Sequence, residues 1–529
     1  MISQLPVDSR DAARCREVIA ALPITNVSFA HGMLRGLLKA VHEAPPAAVE
    51  YLSVLEAARE PLAFLQDAVA ARYVAKPVPS TVEEADAFEH NIALWRLMAN
   101  GYARVAQLGG NDETIKQQLA LVCQRCIHYA AQTLIEYYRA HRAVAAGVWI
   151  ELHGYYDTAD DWGLANEAVS EPLGTTATFT TCAETYAAAL LVDLANPCSR
   201  TPKELSWIIR WAQAMAPATA VSRPDGDAGG RGYGIDLMQD RGLLPVDYLA
   251  ATASARLFDT SRLGERVQGL LARLKEGDSP ASLGLGEDCP AAQAGRLLLQ
   301  LYRPWCLTAL PRRFERTKAG GILSVIYDLK SIYFHVAGSE FVQPAPVRMY
   351  SRGEVEKLWT FRNQIDPTQP LNLRAAQLDF APDLWEIADK SLNGFRAFRN
   401  AAGPRLQHGQ LLAVRAPGRD DFVLARVSWL FQDISGRLQA GIHLLPGPAT
   451  GVAVRPTGDG ITTGEKYVQG FFLPTVPALK ETVSVILPQG WYTPGRLIEI
   501  YTDRPVSARL GELLTRGANF ERCSFTLAA

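Results

Sequence analysis

The period of the hydrophobic pattern changes near residue 310, and this change constrains the fold more than any other feature of the chain. Before it, apolar residues recur at three- and four-residue steps. The stretch ALWRLMANGYARVAQL sets Leu94, Leu97, Met98, Tyr102 and Val105 on one stripe, the pattern of an amphipathic helix. The spacing repeats in HGMLRGLLKAVHEA, PLAFLQDAVAARYV, ETYAAALLVDLA, KELSWIIRWAQAMA and GERVQGLLARLKEG. Thr81 ahead of Glu83 and Glu84, and Thr201-Pro202 ahead of Glu204, mark helix starts. After it come short runs of β-branched and aromatic residues with turn residues between them: GGILSVIYDL, SIYFHVAG, FVLARVSWLF, LQAGIHLLP, YVQGFFLPT, TVSVILPQG and LIEIYTD. Such runs without intervening helices predict antiparallel barrels or sandwiches. The expected fold class is therefore α+β and multidomain. An all-α helical array over 1–305 leads to an antiparallel β domain over 306–450, a barrel or a sandwich by its pattern, and a further β subdomain follows over 451–529. A chain of 529 residues is in any case too long for one hydrophobic core.

Charge narrows the classes of partner. With 53 Lys and Arg against 55 Asp and Glu, the net charge of −2 argues against a general nucleic-acid surface or a polybasic membrane anchor. No run of about eighteen apolar residues suggests a span, and the N-terminal MISQLPVDSRDAARCREV does not read as a secretory signal. Eight scattered cysteines fit reduced thiols. We expect a cytoplasmic protein with no nucleic-acid partner and no membrane insertion.

Motifs of catalysis are missing. There is no Gly-x-Ser-x-Gly elbow, no His-Glu-x-x-His helix and no Gly-x-x-x-x-Gly-Lys-Ser/Thr loop. Cys123-Gln-Arg-Cys126, with His128 beyond it, lies on a helical stripe and reads as buried helix residues. The nine histidines are dispersed and read as structural. Asp157, Asp160 and Asp161 in YYDTADDWG lack an ordered set of oxygen ligands and read as a solvated loop. The glycine-rich RPDGDAGGRGYGID (223–236) lacks the lysine and βαβ frame of a phosphate loop, and a short strand or turn follows it. The segment EGDSPASLGLGEDCP (276–290) reads as a linker before a last helix. No catalytic residue, metal site or cofactor is expected, so the chain reads as a non-enzymatic protein.

What remains is a set of arginines. PRRFER supplies Arg312, Arg313 and Arg316 just before the first strand of the β half. A guanidinium fork suits phosphate contact and stacks on flat rings, whereas the plainer reading is an exposed basic linker. Downstream, DKSLNG sets Asp389, Ser391 and Gly394 between two strand-like runs. An Arg-x-x-x-Arg segment followed by Asp/Asn-x-Ser-x-x-Gly resembles the paired motifs of the PilZ family of bacterial cyclic di-GMP receptors. LARVSWLF and then GRLQAGIHLL resemble the later strands of that barrel. The layout as a whole is similar to a group of long bacterial proteins whose helical half contains an "LW…GY" helix, here Leu94-Trp95 to Gly101-Tyr102.

The resemblance implies a PilZ-like barrel whose ligand is cyclic di-GMP. Arg312 and Arg316 would hold its phosphates, with Arg313 assisting or replacing either. Asp389 and Ser391 would hydrogen-bond a guanine, and Gly394 would let the backbone approach it. An unidentified protein partner would read the liganded state. The 73 residues between Arg316 and Asp389 imply an insertion with helical material around Lys330–His335 or Val355–Arg362. Arg348 and Arg352 form an alternative pair with the same spacing. Asp433-Ile-Ser435 has Leu438 where the glycine should be and is set aside. The competing expectations are a ligand-independent scaffold with a degenerate PilZ-like barrel and an enzyme with a site between the helical and β halves.

Overall fold

The computed structural model describes residues 8–174, 178–224, 232–307, 316–344, 380–400, 402–457 and 466–528. The chain divides into two compact units, one of Met1–Arg312 with Phe431–Ser435, the other of Arg313–Leu430 with Gly436–Ala529.

Helices dominate the first unit: α1 (Ala12–Ala20), α2 (Val27–Glu43), α3 (Ala48–Ala70), α4 (Val82–Leu108), α5 (Glu113–Lys116), α6 (Leu119–Arg139), α7 (Val148–Asp161), α8 (Cys182–Leu194), α9 (Pro202–Met215), α10 (Ser261–Glu276) and α11 (Ala291–Cys306). Thr81 and Thr201 close capping boxes with Glu84 and Glu204, as does Thr181 with Glu184. In α4 the LW…GY residues Leu94, Trp95, Gly101 and Tyr102 are all buried. A Cβ on Gly101 would lie 3.1 Å from Leu55, so the glycine lets α3 and α4 approach closely. The Tyr102 hydroxyl donates to Glu56 Oε1 at 2.6 Å.

Short strands interrupt this helical array. Val169–Ser170 pairs with Phe179–Thr180, and Ala220–Ser222, Tyr233–Asp236, Leu244–Pro245 and Ala255–Asp259 form a four-stranded sheet. Tyr233–Asp236 is the short strand expected after the glycine-rich segment, of which residues 225–231 lie outside the described residues.

Two sequence expectations are corrected here. YYDTADDWG is not a loop, because its aspartates occupy the last turns of α7. Arg256, 2% exposed, pairs with Asp157 at 2.9 Å and Asp160 at 3.0 Å, and Arg223 pairs with Asp161 at 2.6 Å. Nor does the segment 276–290 hang free as a linker. Trp211 Nε1 donates to the Leu285 carbonyl at 2.8 Å and Trp207 Nε1 to Asp288 at 2.7 Å, which staples the segment to α9.

The second unit holds two β-barrels. Strands β1 (Thr317–Lys318), β2 (Ile322–Ile326), β3 (Asp383–Ser391), β4 (Gly394–Arg399), β5 (Leu411–Arg415), β6 (Val423–Gln432) and β7 (Leu438–Leu444) lie in the order β4-β7-β6-β5-β2-β3-β1. An additional β3–β4 pairing joins the ends, so β2 to β7 form a closed six-stranded ring with β1 added on β3. Strands β8 (Thr450–Thr457), β9 (Val468–Leu473), β10 (Ser484–Pro488), β11 (Leu497–Tyr501), β12 (Pro505–Arg516) and β13 (Phe520–Leu527) close a second barrel. Closure leaves no long edge exposed to other chains.

SIYFHVAG is helical, within α12 (Leu329–Ala337), and so fits the helical insertion rather than a strand. Asp328 caps it, its carboxylate accepting from Ser331 N at 2.9 Å. Ile332 of α12 joins one buried cluster with Ile326, Leu411 and Leu424 of the first barrel and Phe471, Ile486 and Phe520 of the second. The helix is thus a wedge that gives both barrels a common core.

Candidate functional site

β-Sheet register brings the separated motifs together. β1 pairs with the end of β3, Thr317 against Lys390 and Lys318 against Asp389. This places Arg316, the last residue of PRRFER, beside DKSLNG. Its Nη1 donates to Asp389 Oδ1 at 2.5 Å across a separation of 73 residues. Of the other expected arginines, Arg312 and Arg313 lie outside the described residues, as do Arg348, Arg352 and the stretch Val355–Arg362.

Asp389 faces this way because of a bulge. Ala397 pairs with Ile387 and Arg396 with Asp389, which leaves Ala388 as an extra residue in β3. Ile387 and Ala397 are buried. Strict alternation would send Asp389 to the interior with Ile387, and the inserted residue rotates it to the outer face with Arg396.

Ser391 pairs with Gly394 across the two-residue turn Leu392-Asn393. Its hydroxyl donates to Asn393 Oδ1 at 2.8 Å. A Cβ on Gly394 would sit 2.1 Å from the Ile442 carbonyl oxygen of β7, so close packing of the two backbones requires the glycine. Asp433-Ile-Ser435, set aside from sequence, is a polar turn in which Ser435 N donates to Asp433 Oδ1 at 2.9 Å.

Sequence reading missed Arg396 and Gln439 on this face. Arg396 Nη1 lies 3.9 Å from Asp389 Oδ2, and its Nη2 donates to Gln439 Oε1 at 3.3 Å. Arg396 also pairs in register with Gly441 of β7. The Trp429 indole lies over Gly441, where a Cβ would meet its Nε1 at 2.0 Å. The available signal was strand alternation: Arg396 stands two residues after Gly394, on the face of Ser391 and Asp389. Further along β4, Arg399 is structural. It is 3% exposed, donates to Asp383 at 2.7 Å and lies over the Trp385 ring at 5.3 Å.

The helical unit offers a different polar arrangement. Arg59 Nη2 donates to both oxygens of Glu171 at 2.6 and 2.8 Å. Arg125 donates to Glu171 at 2.8 Å and to Glu56 at 3.0 Å. Burial alone would raise the Glu171 pKa, but His128, Arg125 and Arg59 nearby outweigh it and hold the carboxyl below the usual range. Beside this network is a cavity of about 110 Å³ bordered by His128, Gln132, Glu171, Thr185 and Gln213. Burial pushes the His128 imidazole down to about 4. Cys123 and Cys126 are buried on α6, and burial raises both thiols, which makes them poor nucleophiles. All eight cysteines are free thiols.

Comparison with known proteins bears on both ends of the chain. Residues 12–225 match the family described as "Cyclic-di-GMP receptor FimW, N-terminal domain", and residues 452–528 match the "FimW C-terminal beta-barrel domain". The two matches flank the first barrel. The cyclic-di-GMP receptor FimW of Pseudomonas aeruginosa is 24% identical over 462 residues, covering 77% of this chain and 72% of the relative. No described helix is long and apolar enough to cross a membrane. The chain is therefore FimW-like both in its helical half and in its C-terminal barrel.

Proposed function

We propose that this protein is a cyclic di-GMP-binding effector whose first barrel is a PilZ-type nucleotide platform. The observation that carries the reading is the meeting of Arg316 with Asp389, which sets the last residue of PRRFER against the first residue of DKSLNG and so supports a shared site. The relative named as a cyclic-di-GMP receptor supports the same reading. Arg316, with Arg312 and Arg313 from the same segment, binds the phosphates. Asp389 accepts from guanine N–H groups, Ser391 adds a hydrogen bond, and Gly394 keeps the floor open to the base.

Ligand capture changes how PRRFER packs, and a cytoplasmic protein partner reads the altered surface. The ligand shifts that equilibrium only by its differential affinity for the two states. Titration calorimetry with cyclic di-GMP tests the claim: saturable one-site heat is expected, and a folded protein giving none at high micromolar ligand would refute it.

A second reading, a ligand-independent scaffold, draws on Asp389 having its carboxylate satisfied by Arg316. Arg316→Ala separates the two. A receptor loses most of its nucleotide affinity, whereas a scaffold keeps its partner affinity unchanged.

A further inference from the structure

We propose that Arg396, on the barrel wall, is a second phosphate-binding arginine, and that Asp389 holds its place until ligand arrives. This rests on the cyclic di-GMP reading above and adds a residue outside both sequence motifs. The first argument is charge. One carboxylate, Asp389, stands between two guanidinium groups, Arg316 at 2.5 Å and Arg396 at 3.9 Å. Glu386, the other carboxylate of this strand face, makes no ion pair with a described residue. Asp389 therefore pairs closely with Arg316 alone, and the more distant Arg396 guanidinium is left available to an anion of matching shape.

The second argument is availability. The Arg396 side chain is 46% exposed and, among the described residues, is held by the long contact to Asp389 and a 3.3 Å hydrogen bond to Gln439. Arg399, three residues on, is 3% exposed and has short bonds to Asp383 and backbone carbonyls. One is a framework residue and the other has its fork free to turn outward. The third argument is placement. Register puts Arg396 between Asp389 and Gly441, where the missing Cβ leaves room for the Trp429 indole.

Binding is then an exchange of partners. Phosphate oxygens take the guanidinium groups of Arg316 and Arg396, and the released Asp389 carboxylate takes the guanine N–H groups. A strand-borne arginine is pre-organised, while Arg316 sits on a segment outside the strand ladder. The two supply the positioned and the adaptable halves of one clamp.

Calorimetric titrations of the full chain with cyclic di-GMP at two salt concentrations test this, using wild type, Arg396→Ala and Arg396→Lys. Arg396→Ala should weaken binding about tenfold or more and flatten its salt dependence, with thermal melting unchanged. Arg396→Lys should keep the salt dependence but recover only part of the affinity, since it restores a charge without the fork. If wild type binds and both variants bind with wild-type affinity and salt slope, the role of Arg396 is overturned while the receptor reading stands. If wild type does not bind, both fall together. Should the alanine variant fail to fold, the lysine variant alone decides.

Discussion

Two of the arginine–carboxylate clusters use the same chemistry to different ends. In the helical unit, Arg59 and Arg125 face Glu171 and Glu56, two positive charges against two negative, and the arginines are 3% and 1% exposed. At the first barrel, the single carboxylate of Asp389 contacts both Arg316, at 2.5 Å, and Arg396, at 3.9 Å, and these arginines are 28% and 46% exposed. Burial explains the difference. Charges withdrawn from water must be matched by counter-charges and hydrogen bonds within the fold, so the helical cluster is closed and structural. A surface cluster is held by water and can leave a guanidinium available, which is what a binding site for an anion requires. Residue type alone does not distinguish a framework arginine from a ligand-binding one; closeness of pairing and exposure do.

The comparison can be broken most forcefully from the buried side. Glu171→Ala leaves Arg59 and Arg125 underpaired in the interior and should cost about 3–5 kcal/mol, read as a large fall in the melting temperature of the helical unit. An unchanged melt would show that the network is not structural. Next in size is Gly394→Ala, whose Cβ would meet the Ile442 carbonyl. Forcing β4 and β7 apart should destabilise the second unit by about 1–3 kcal/mol and abolish cyclic di-GMP binding.

A graded effect is expected with pH. The His128 imidazole titrates near 4 in the fold against about 6.5 in an unfolded chain. Unfolding therefore takes up a proton in this window, and the stability due to neutral His128 is complete above pH 6.5 and lost as pH falls toward 4. The depressed Glu171 carboxyl adds to the loss at the acid end. Melting curves between pH 7 and 4 should show this slope, and His128→Gln should flatten it.

The smallest effect on stability belongs to the exposed cluster. Arg316→Ala should change unfolding by less than about 1 kcal/mol yet weaken cyclic di-GMP binding by about 10- to 100-fold. A large stability loss without loss of binding would reverse the assignment of the two clusters.

Much of the architecture was legible because its signals are local. Helical stripes and the capping residues Thr81 and Thr201 marked α4 and α9, since a helix is set by contacts a few residues apart. The β character of the second half followed from the change of period, and DKSLNG was readable as a turn between two strands. SIYFHVAG shows the limit of this logic. Its aromatic and β-branched residues favour a strand, but packing between two barrels and the Asp328 cap make it a helix. The YYDTADDWG aspartates misled for a related reason: their partner, Arg256, comes from a strand about a hundred residues away.

By itself, the sequence determined the change from a helical to a β half, the capped helices α4 and α9, and where PRRFER and DKSLNG lie. Those properties depend on backbone periodicity and short-range chemistry. Only the tertiary structure decided that Arg316 reaches Asp389, that a bulge at Ala388 turns the carboxylate outward, and that Arg396 completes the cluster. The reason is that sheet register is a long-range property. One inserted residue moves a side chain to the opposite face, and a β-strand pairing can join residues 73 apart that no local pattern connects.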